Sequence, residues 1–373
     1  MGKFLIITCV QHSSDGKDYF GYGPYVREMN LWIRKEEKVC VLAPISDSNV
    51  VQKIDLAYQH GNLEFQKVPA FDIQSVKSIL KATYQVPYIM VKMLLAMAAA
   101  DHIHIRIPGN MGLLGMFCQI LFPGKAKTIK YAGNWDPQSK QPLTYRIQRK
   151  IANSTFLTKN AKVLVYGDWP DSTKNILPFF TASYWEREKE SVQKQPLIQG
   201  LKLVFVGALY DGKNPVVGLQ VSKILQEKGI DFTFTYCGDG VLRASLEKLS
   251  KDWKLEKKVR FLGNVNAEIV KEELKNSHFL IFVSETEGWP KAVAEAMFWG
   301  CLPLTSAVSC VPQMVGSQEE RGILVSKDPE YLVSRLEELK NNPAKFERMS
   351  QQAMDWSRNY TLEKFQAEIE KLK

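Results

Sequence analysis

The sequence lacks the long hydrophobic run, the paired cysteines and the histidine clusters that would indicate a membrane span, disulfides or a zinc site. Its longest apolar stretch, residues 86–100, is interrupted by Pro87 and Lys92 and falls short of the roughly 20 residues that a spanning helix needs. The six cysteines are scattered, with no Cys-x-x-Cys pair. We therefore expect free thiols in a reducing cytoplasm, and a buried or interfacial helix at 86–100.

The sequence also has no recognisable leader, internal repeat or low-complexity segment. Its first apolar run meets Gln11, His12 and Asp15 before any small-residue cleavage site, which predicts a first strand rather than a signal peptide. A composition of 45% hydrophobic, 24% charged and 11% aromatic residues is that of a globular protein. We expect the protein to stay inside the cell.

The 373 residues suit two domains of roughly 150 to 200 residues each. Short β-branched and aromatic runs recur, each followed by a longer stretch of helical periodicity, which is typical of βα units around parallel sheets. The predicted strands are 3–9, 38–43, 63–68, 102–107, 127–132, 162–166, 201–206, 232–237, 259–262, 279–283 and 302–305.

This pattern predicts an α/β protein with two Rossmann-like, doubly wound parallel-sheet domains that face each other across a cleft. We place the first domain at 1–180, a linker at 181–200 and the second domain at 201–355. A C-terminal helix at 356–373 is expected to pack back on the first domain. Because doubly wound sheets bind ligands at the carboxyl ends of their strands, the cleft is the expected site.

Residues 284–300 form the most informative segment. A strand ends at Ser284, and Pro290 suits the start of a helix that Gly300 closes. Such a helix N-terminus gathers free N–H groups and the positive end of the helix dipole, which is how proteins hold phosphate. The helix is apolar on nearly every face, so Glu295 should be buried and needs a partner. A structural Lys or Arg is one candidate partner, and a ligand is the other.

The Glu-x7-Glu spacing of Glu287 and Glu295, between Glu-Gly-aromatic and Glu-Ala-Met, closely resembles the signature of glycosyltransferase family 4. These are retaining, GT-B-fold members of the glycosyl transferases group 1, common in bacterial polysaccharide synthesis. The resemblance covers nearly the whole chain and is strongest over 201–325. Supporting matches are Gly207 with Lys213, Gly238 to Gly240, Arg260 to Gly263, and the Gly21 and Gly23 loop.

The resemblance implies a nucleotide-sugar donor bound by 201–355 and an acceptor held by 1–180. It assigns Glu287 to the donor sugar, Glu295 to the ribose hydroxyls and Lys213 to the diphosphate. No cofactor or metal is expected, since the sequence has no Asp-x-Asp, and Lys213 with helix N-termini would replace the metal. The remaining donor-site candidates are Gly21, Gly23, Gly207, Gly238, Gly288, Trp289, Lys291 and Ala292.

The sequence departs from the family pattern at two places. Ala208 stands where the family has a phosphate-binding arginine, and we hypothesise that Lys291 replaces that cation. Arg106 stands where the family has a histidine beside the reacting sugar, while His104 keeps the preceding histidine position. An arginine cannot act as a base, but it can donate hydrogen bonds to donor or acceptor, so we count Arg106 with Glu287 and Lys213 as catalytic.

Residues 123–163 carry nine basic residues against one acid, nearly the whole net charge of +9. No nucleic-acid-binding motif accompanies them, so an anionic membrane or a lipid-diphosphate acceptor is the better partner, with a merely solvated surface as the alternative. The basic residues are Lys125, Lys127, Lys130, Lys140, Arg146, Arg149, Lys150, Lys159 and Lys162.

The pattern as a whole predicts a metal-independent glycosyltransferase that moves a sugar from a nucleotide-diphosphate sugar to a glycan or lipid-linked acceptor. Two alternatives stay open: a sugar-nucleotide epimerase or hydrolase on the same fold, and an inactive GT-B scaffold subunit. Lys213 could also be a solvated loop lysine, and Gly21, Gly23 and Gly238 could only shape turns. No recognisable sequence pattern identifies the nucleotide base, the donor sugar or the acceptor.

Overall fold

The structure, a computed structural model, describes residues 2–46, 50–52, 54–72, 75–170 and 172–373. The chain divides into two compact units. Unit 1 comprises Met1–Phe180 together with Gln366–Lys373, and unit 2 comprises Thr181–Phe365. Residues 181–200 therefore group with unit 2, where Thr181, Tyr184 and Leu197 are buried.

Unit 1 is organised around a parallel sheet whose inner strands are largely buried, as expected for a parallel sheet. Its strands are β1 (Lys3–Ile7), β2 (His12–Ser14), β3 (Tyr19–Tyr22), β4 (Lys38–Pro44), β5 (Asp55–Ala57), β6 (Leu63–Val68), β7 (His102–Ile107), β8 (Ala126–Tyr131), β9 (Ala161–Tyr166) and β10 (Ile176–Phe179). Its helices are α1 (Gly23–Ile33), α2 (Val76–Ala99), α3 (Asn110–Cys118) and α4 (Leu143–Ala152).

The large sheet of unit 1 has the strand order β10-β9-β8-β7-β1-β4-β6. The chain builds outward from β1 to β4 and β6, and then from β7 to β10 on the other side, so the order reverses between β1 and β7. In a doubly wound fold the ligand crevice lies at the carboxyl ends of the strands at such a reversal. Strands β2, β3 and β5 form a separate antiparallel sheet.

The last residues of the chain belong to unit 1. The ammonium of Lys373 is hydrogen-bonded to the Glu36 carboxylate and to the Trp32 carbonyl. The Lys162 ammonium donates to the carbonyls of Lys371 and Leu372, at 3.2 and 3.0 Å. These contacts hold Gln366–Lys373 against the rest of unit 1.

Unit 2 has the same kind of architecture. Its strands are β11 (Leu201–Val206), β12 (Phe232–Cys237), β13 (Val259–Gly263), β14 (Phe279–Phe282), β15 (Leu302–Thr305) and β16 (Ile323–Leu324). Its helices are α5 (Val216–Glu227), α6 (Arg243–Asp252), α7 (Ala267–Asn276), α8 (Lys291–Phe298), α9 (Val311–Val315), α10 (Pro329–Lys340), α11 (Pro343–Ser357) and the first residues of α12 (Leu362–Leu372).

The parallel sheet of unit 2 has the order β13-β12-β11-β14-β15-β16, so its reversal lies between β11 and β14. Those two strands pair with Leu203 opposite Phe279 and Val204 opposite Leu280. The carboxyl ends of β11 and β14 are therefore the expected ligand edge of unit 2.

The predicted parallel strands are confirmed with boundaries that shift by one or two residues. The first predicted strand ends two residues early, at Ile7, and the helix predicted at Pro290 begins at Lys291. Strands β2, β3, β5, β10 and β16 were not predicted. Within the described parts of the chain, none of the helices combines the length and apolar character needed to cross a membrane.

Candidate functional site

The loops that follow β11 and β14 are tied together by hydrogen bonds. The backbone N–H of Glu285 donates to the Gly212 carbonyl at 2.9 Å, and the Asn214 side chain donates to the Val283 carbonyl at 2.8 Å. Asn214 has a positive φ of 48°, a conformation that asparagine tolerates better than most residues. These bonds fix both loops at the point where the strand order of unit 2 reverses.

Lys213 and Glu287 meet at this point. The Lys213 ammonium forms a hydrogen-bonded ion pair with the Glu287 carboxylate, and it lies 4.9 Å from the centre of the Phe282 ring. The two side chains are only 16% and 11% exposed. A nearly buried charge pair holds both groups in defined positions, because separating them would leave an unpaired charge. Two residues that the family resemblance assigns to the donor are thus in contact.

Gly207 directly follows β11 and Gly238 directly follows β12, and the backbones of the two glycines are in close contact. The Gly207 N–H donates to the Cys237 carbonyl at 3.0 Å. A Cβ atom on Gly238 would lie 1.9 Å from the Gly207 carbonyl oxygen, and Gly238 has a φ of 154°. Only glycine fits there, so the sequence of this turn is set by the close approach of two backbones.

The start of α8 follows directly from the Glu287 loop. The Gly288 carbonyl accepts a hydrogen bond from the Ser309 hydroxyl at 2.8 Å, which fixes the loop. Lys291 and Ala292 form the first turn of α8 and are half-buried. The helix ends at Phe298, and Gly300 lies just beyond it with a φ of 64°, the left-handed conformation that follows a helix C-terminus, as predicted.

Glu295 lies on α8 in a small pocket that Tyr184, Trp289 and Tyr360 also line. Its carboxylate accepts a hydrogen bond from the Ser183 hydroxyl at 2.5 Å. Glu295 was predicted to be buried, but it is only half-buried, because the side of α8 that carries it faces this pocket. Burial and the Glu295 charge together raise the pKa of Tyr184, so this phenol stays neutral beside the carboxylate.

Trp289 is held in an aromatic cluster. Its ring lies 6.4 Å from the Trp356 ring and 5.6 Å from the Tyr360 ring, and Arg321 lies over Trp356. The cluster connects the Glu287 loop to α11, so the loop is supported from the side away from β11.

Arg106 lies in unit 1 at the carboxyl end of β7. Its guanidinium is 5.0 Å from the centre of the Tyr25 ring. Burial by itself would lower the pKa of Arg106, but the Glu28 carboxylate and three other neighbouring groups together outweigh burial, and the net shift is upward. Glu28 is a buried residue of α1. Arg106 therefore has a structural role, since its positive charge stabilises a buried carboxylate.

Gly21 and Gly23 do not form the glycine turn that was predicted for them. Gly21 lies inside β3, against His12, and Gly23 is the first residue of α1. The Gly23 N–H donates to the Ile54 carbonyl at 3.1 Å, and a Cβ on Gly23 would lie 2.3 Å from that oxygen. Gly23 is thus required by packing, at the junction of β3 and α1.

The basic stretch 123–163 is not one exposed face. Lys127 and Lys130 belong to β8 and are buried, because this inner strand is covered on both faces. Lys130 lies 4.2 Å from the centre of the Tyr166 ring, and burial lowers the pKa of Lys127 to about 8. The Lys125 ammonium is bound to the carbonyls of Ala98 and Ala100. The exposed cations that remain include Arg146 and Lys150 of α4.

Sequence reasoning missed Ser183 and Asn214. Ser183 reaches Glu295 from 112 positions away, in a segment without regular periodicity, so no sequence signal identifies it. Asn214 precedes Pro215 and follows Lys213, a Lys-Asn-Pro run that indicates a turn and could have been noticed.

Comparison with known proteins identifies the sequence of unit 2. Residues 186–356 match the sequence profile of the family described as glycosyl transferases group 1. This part of the chain is therefore similar to that family. An uncharacterized glycosyltransferase of Haemophilus influenzae is 30% identical over 170 residues, which are 45% of this chain and 47% of that protein.

A second glycosyltransferase relative comes from Campylobacter jejuni. This protein, the GalNAc-alpha-(1->4)-GalNAc-alpha-(1->3)-diNAcBac-PP-undecaprenol alpha-1,4-N-acetyl-D-galactosaminyltransferase, is 31% identical over 160 residues, 42% of this chain and 41% of that protein. The matched stretches thus span less than half of each glycosyltransferase.

The fold likeness extends over the whole chain. HepE of Anabaena, solved in complex with UDP, aligns with a TM-score of 0.68 at 13% identity, covering 100% of this chain and 99% of HepE. The predicted GT-B architecture of two Rossmann-like domains is confirmed, as is the resemblance to glycosyl transferases group 1.

Proposed function

We propose that this protein is a retaining glycosyltransferase that transfers a sugar from a nucleoside-diphosphate sugar to a glycan or lipid-linked acceptor in bacterial surface-polysaccharide synthesis. The observation that carries the proposal is the contact between Lys213 and Glu287 at the reversal between β11 and β14. A cation and a carboxylate placed there suit a diphosphate and a sugar hydroxyl respectively.

In the proposed reaction the bond between the anomeric carbon and the diphosphate oxygen breaks, and the acceptor hydroxyl forms the new bond on the same face. The proton of that hydroxyl goes to the leaving phosphate. The Lys213 ammonium and the positive end of the α8 dipole stabilise the charge that develops on the diphosphate. Glu287 positions the sugar, Glu295 binds the ribose hydroxyls, and Arg106 donates hydrogen bonds to the sugar or acceptor.

Lys291, in the first turn of α8, is proposed as the second cation in place of the family arginine that is absent at Ala208. We also propose that protein cations replace a metal, so transfer should continue in EDTA.

The test is release of nucleotide from a panel of UDP-, GDP- and ADP-sugars, with and without acceptors, in the presence of EDTA. Release that depends on an acceptor supports the transferase, and Lys213→Ala should lose most of it. Lys248→Ala, which removes an exposed lysine of α6, is the matched control and should keep full activity. Epimerised sugar or acceptor-independent hydrolysis would instead support the alternative enzyme class, and no turnover at all would support a scaffold.

We further propose that the protein contacts the inner face of the membrane through α2. Five large apolar side chains form a stripe along this helix at spacings of three and four residues, and each is 50% to 68% exposed. The stripe consists of Leu80, Tyr84, Tyr88, Val91 and Leu95. Lys77, Lys81 and Lys92 are the helix's charged residues. An apolar stripe flanked only by positive charge suits the interface of an anionic bilayer.

Sedimentation with phosphatidylglycerol vesicles tests this contact. Leu80→Ser with Leu95→Ser should reduce vesicle binding several-fold, since both side chains would leave the bilayer. Ile198→Ser with Ile269→Ser removes two exposed apolar residues of unit 2 and serves as control. Equal binding by the α2 variant and the parent would refute the membrane contact without affecting the transferase proposal.

A further inference from the structure

A pocket of about 540 Å³ opens on unit 1 beside α4. Its walls include Trp135 from the loop after β8, Trp169 from the loop after β9, and the outer face of α4. It therefore lies at the carboxyl ends of β8 and β9, the edge of the sheet where doubly wound folds bind ligands. Its volume is in the range of small-molecule sites, roughly 300 to 1,000 Å³.

One wall of this pocket is strongly basic. Arg146, Arg149 and Lys150 are three and four positions apart on α4, so they share one face. Among the residues that the structure describes, none that lines the pocket is acidic, and neither Arg146 nor Lys150 has a hydrogen bond or ion pair. Three like charges at one wall repel one another, so an anion bound between them is stabilised.

The basic wall is held in place. The Arg149 guanidinium donates through one nitrogen to the carbonyls of Asp136, at 3.0 Å, and Trp135, at 3.5 Å. Gln148, on the opposite face of α4, is fully buried, and its side-chain oxygen accepts a hydrogen bond from the Gly109 N–H at 3.2 Å. Because α4 is anchored on that face, the cations face the pocket without rearrangement of the helix.

The rest of the pocket lining is mainly apolar, with Asn153 and Ser172 as its polar residues. Trp135 is buried edge-on to Tyr131, with ring centres 4.8 Å apart, and the Trp169 indole N–H donates to the Tyr166 carbonyl at 2.8 Å. Leu143, at the start of α4, is 68% exposed at the mouth. A rigid aromatic wall beside an exposed leucine and three cations suits a ligand with a phosphate group joined directly to a hydrocarbon.

We infer that this pocket binds the diphosphate of a prenyl-diphosphate-linked acceptor. The diphosphate lies against Arg146, Arg149 and Lys150, and the first carbons of the prenyl chain lie against Leu143 and the tryptophan rings. The acceptor class rests on the proposed function and on the undecaprenol-diphosphate named for the Campylobacter jejuni relative. The binding chemistry rests on the pocket alone.

Calorimetric titration with farnesyl diphosphate and with inorganic diphosphate tests the inference. Replacing Arg146→Gln and Lys150→Gln together should weaken farnesyl diphosphate binding about tenfold or more, since two charge-assisted contacts are lost. Lys248→Gln with Lys257→Gln, a pair of exposed lysines of unit 2, makes the same charge change and should leave binding unchanged. Leu143→Ser should weaken farnesyl diphosphate binding several-fold and leave inorganic diphosphate binding unaltered.

The same titrations in a Lys213→Ala background separate this pocket from the donor site, and farnesyl diphosphate binding should persist there. Equal affinity of the parent and the Arg146/Lys150 variant for farnesyl diphosphate would overturn the inference. So would a variant that loses binding to phosphatidylglycerol vesicles while keeping its farnesyl diphosphate affinity, because the cations would then serve a bilayer surface. Nucleotide release from donor sugars, measured on the same samples, reports the proposed function independently.

Discussion

The two glutamates of the proposed donor site have different surroundings, so their substitution should have different effects. Glu287 is paired with the nearly buried ammonium of Lys213. Removing the Glu287 carboxylate would leave the Lys213 charge without this partner. Glu295 accepts a hydrogen bond from the neutral Ser183 in a partly open pocket. Substitution of Glu295 therefore tests the proposed ligand contact in this pocket.

Glu295→Ala should weaken donor binding roughly ten- to a hundredfold, because losing a charge-assisted contact costs about 1.5 to 3 kcal/mol. Calorimetry with the donor identified in the nucleotide panel measures the change. Glu256→Ala, which removes an exposed carboxylate elsewhere in unit 2, should bind normally. If Glu295→Ala binds as tightly as the parent, the ribose assignment fails.

Arg106 has a structural partner as well as a proposed catalytic role, and the two can be separated. Arg106→Ala should lower kcat far more than it raises the donor KM, if the contact forms mainly in the transition state. It should also destabilise unit 1 by roughly 3 kcal/mol, since Glu28 is left buried without its cation.

Adding Glu28→Gln to Arg106→Ala removes that stranded charge and should restore much of the melting temperature but not the turnover. Arg106→Lys should also be impaired, because lysine keeps the charge and loses the planar fork. Normal turnover by a destabilised Arg106→Ala variant would make the arginine structural only.

At the scale of secondary structure, prediction succeeded where apolar runs are buried on both faces. The runs at β11, β12 and β15 are continuous and bounded by turn residues, so their limits were predicted to the residue. β10 was missed because it is a short edge strand that contains Pro178. The antiparallel strands, such as His12–Ser14, are too short for an alternating pattern to be visible.

The proposed donor-site residues were selected because their spacing matches a family signature, whereas the residues that contact them in the structure were not predicted. Glu287 and Glu295 lie on one loop and one helix, so their separation is fixed locally. Ser183 comes close to Glu295 only through tertiary packing, and the same is true of Glu28 and Arg106. Such contacts leave no periodic pattern in a single sequence. The same holds for the burial of Lys127 and Lys130.

The close contact between the turns after β11 and β12 predicts a sharp substitution effect. Gly238→Ala should cost roughly 2 to 4 kcal/mol, because its Cβ would lie 1.9 Å from the Gly207 carbonyl oxygen and must push the two strand ends apart. Gly229→Ala is the matched control: Gly229 has a φ of 68° with open space around it, so only the backbone penalty of about 1 kcal/mol applies. Urea unfolding of both variants measures the difference, and equal losses would contradict it.

At the scale of the whole molecule, buried histidines make the fold sensitive to acid. Burial lowers the pKa of His12, His102 and His278 to about 4, and that of His104 well below its ordinary value. The folded pKa values lie below the unfolded ones, so the unfolded chain binds more protons between pH 6.5 and 4 and stability falls as the pH falls. A shift of this size corresponds to about 3 kcal/mol for each fully buried group.

Unit 1 contains His12, His102 and His104, whereas of this group unit 2 contains only His278, so unit 1 should be the more acid-labile. Hydrogen exchange at pH 7.5 and pH 5, resolved by peptide, should show protection falling first in unit 1. Uniform loss of protection in both units, or no loss at pH 5, would contradict the assignment of these histidines as the acid-sensitive groups.

Because unit 1 includes Gln366–Lys373, its folding is tied to the order in which the ribosome delivers the chain. Unit 2 is one continuous segment and can close as soon as Phe365 has emerged. Unit 1 must wait, with its Glu36 and Lys162 contacts unmade, until residues 366–373 have been synthesised after the whole of unit 2. The strands of the first unit are therefore synthesised before unit 2, but the contacts that complete this unit form only after unit 2 has been made.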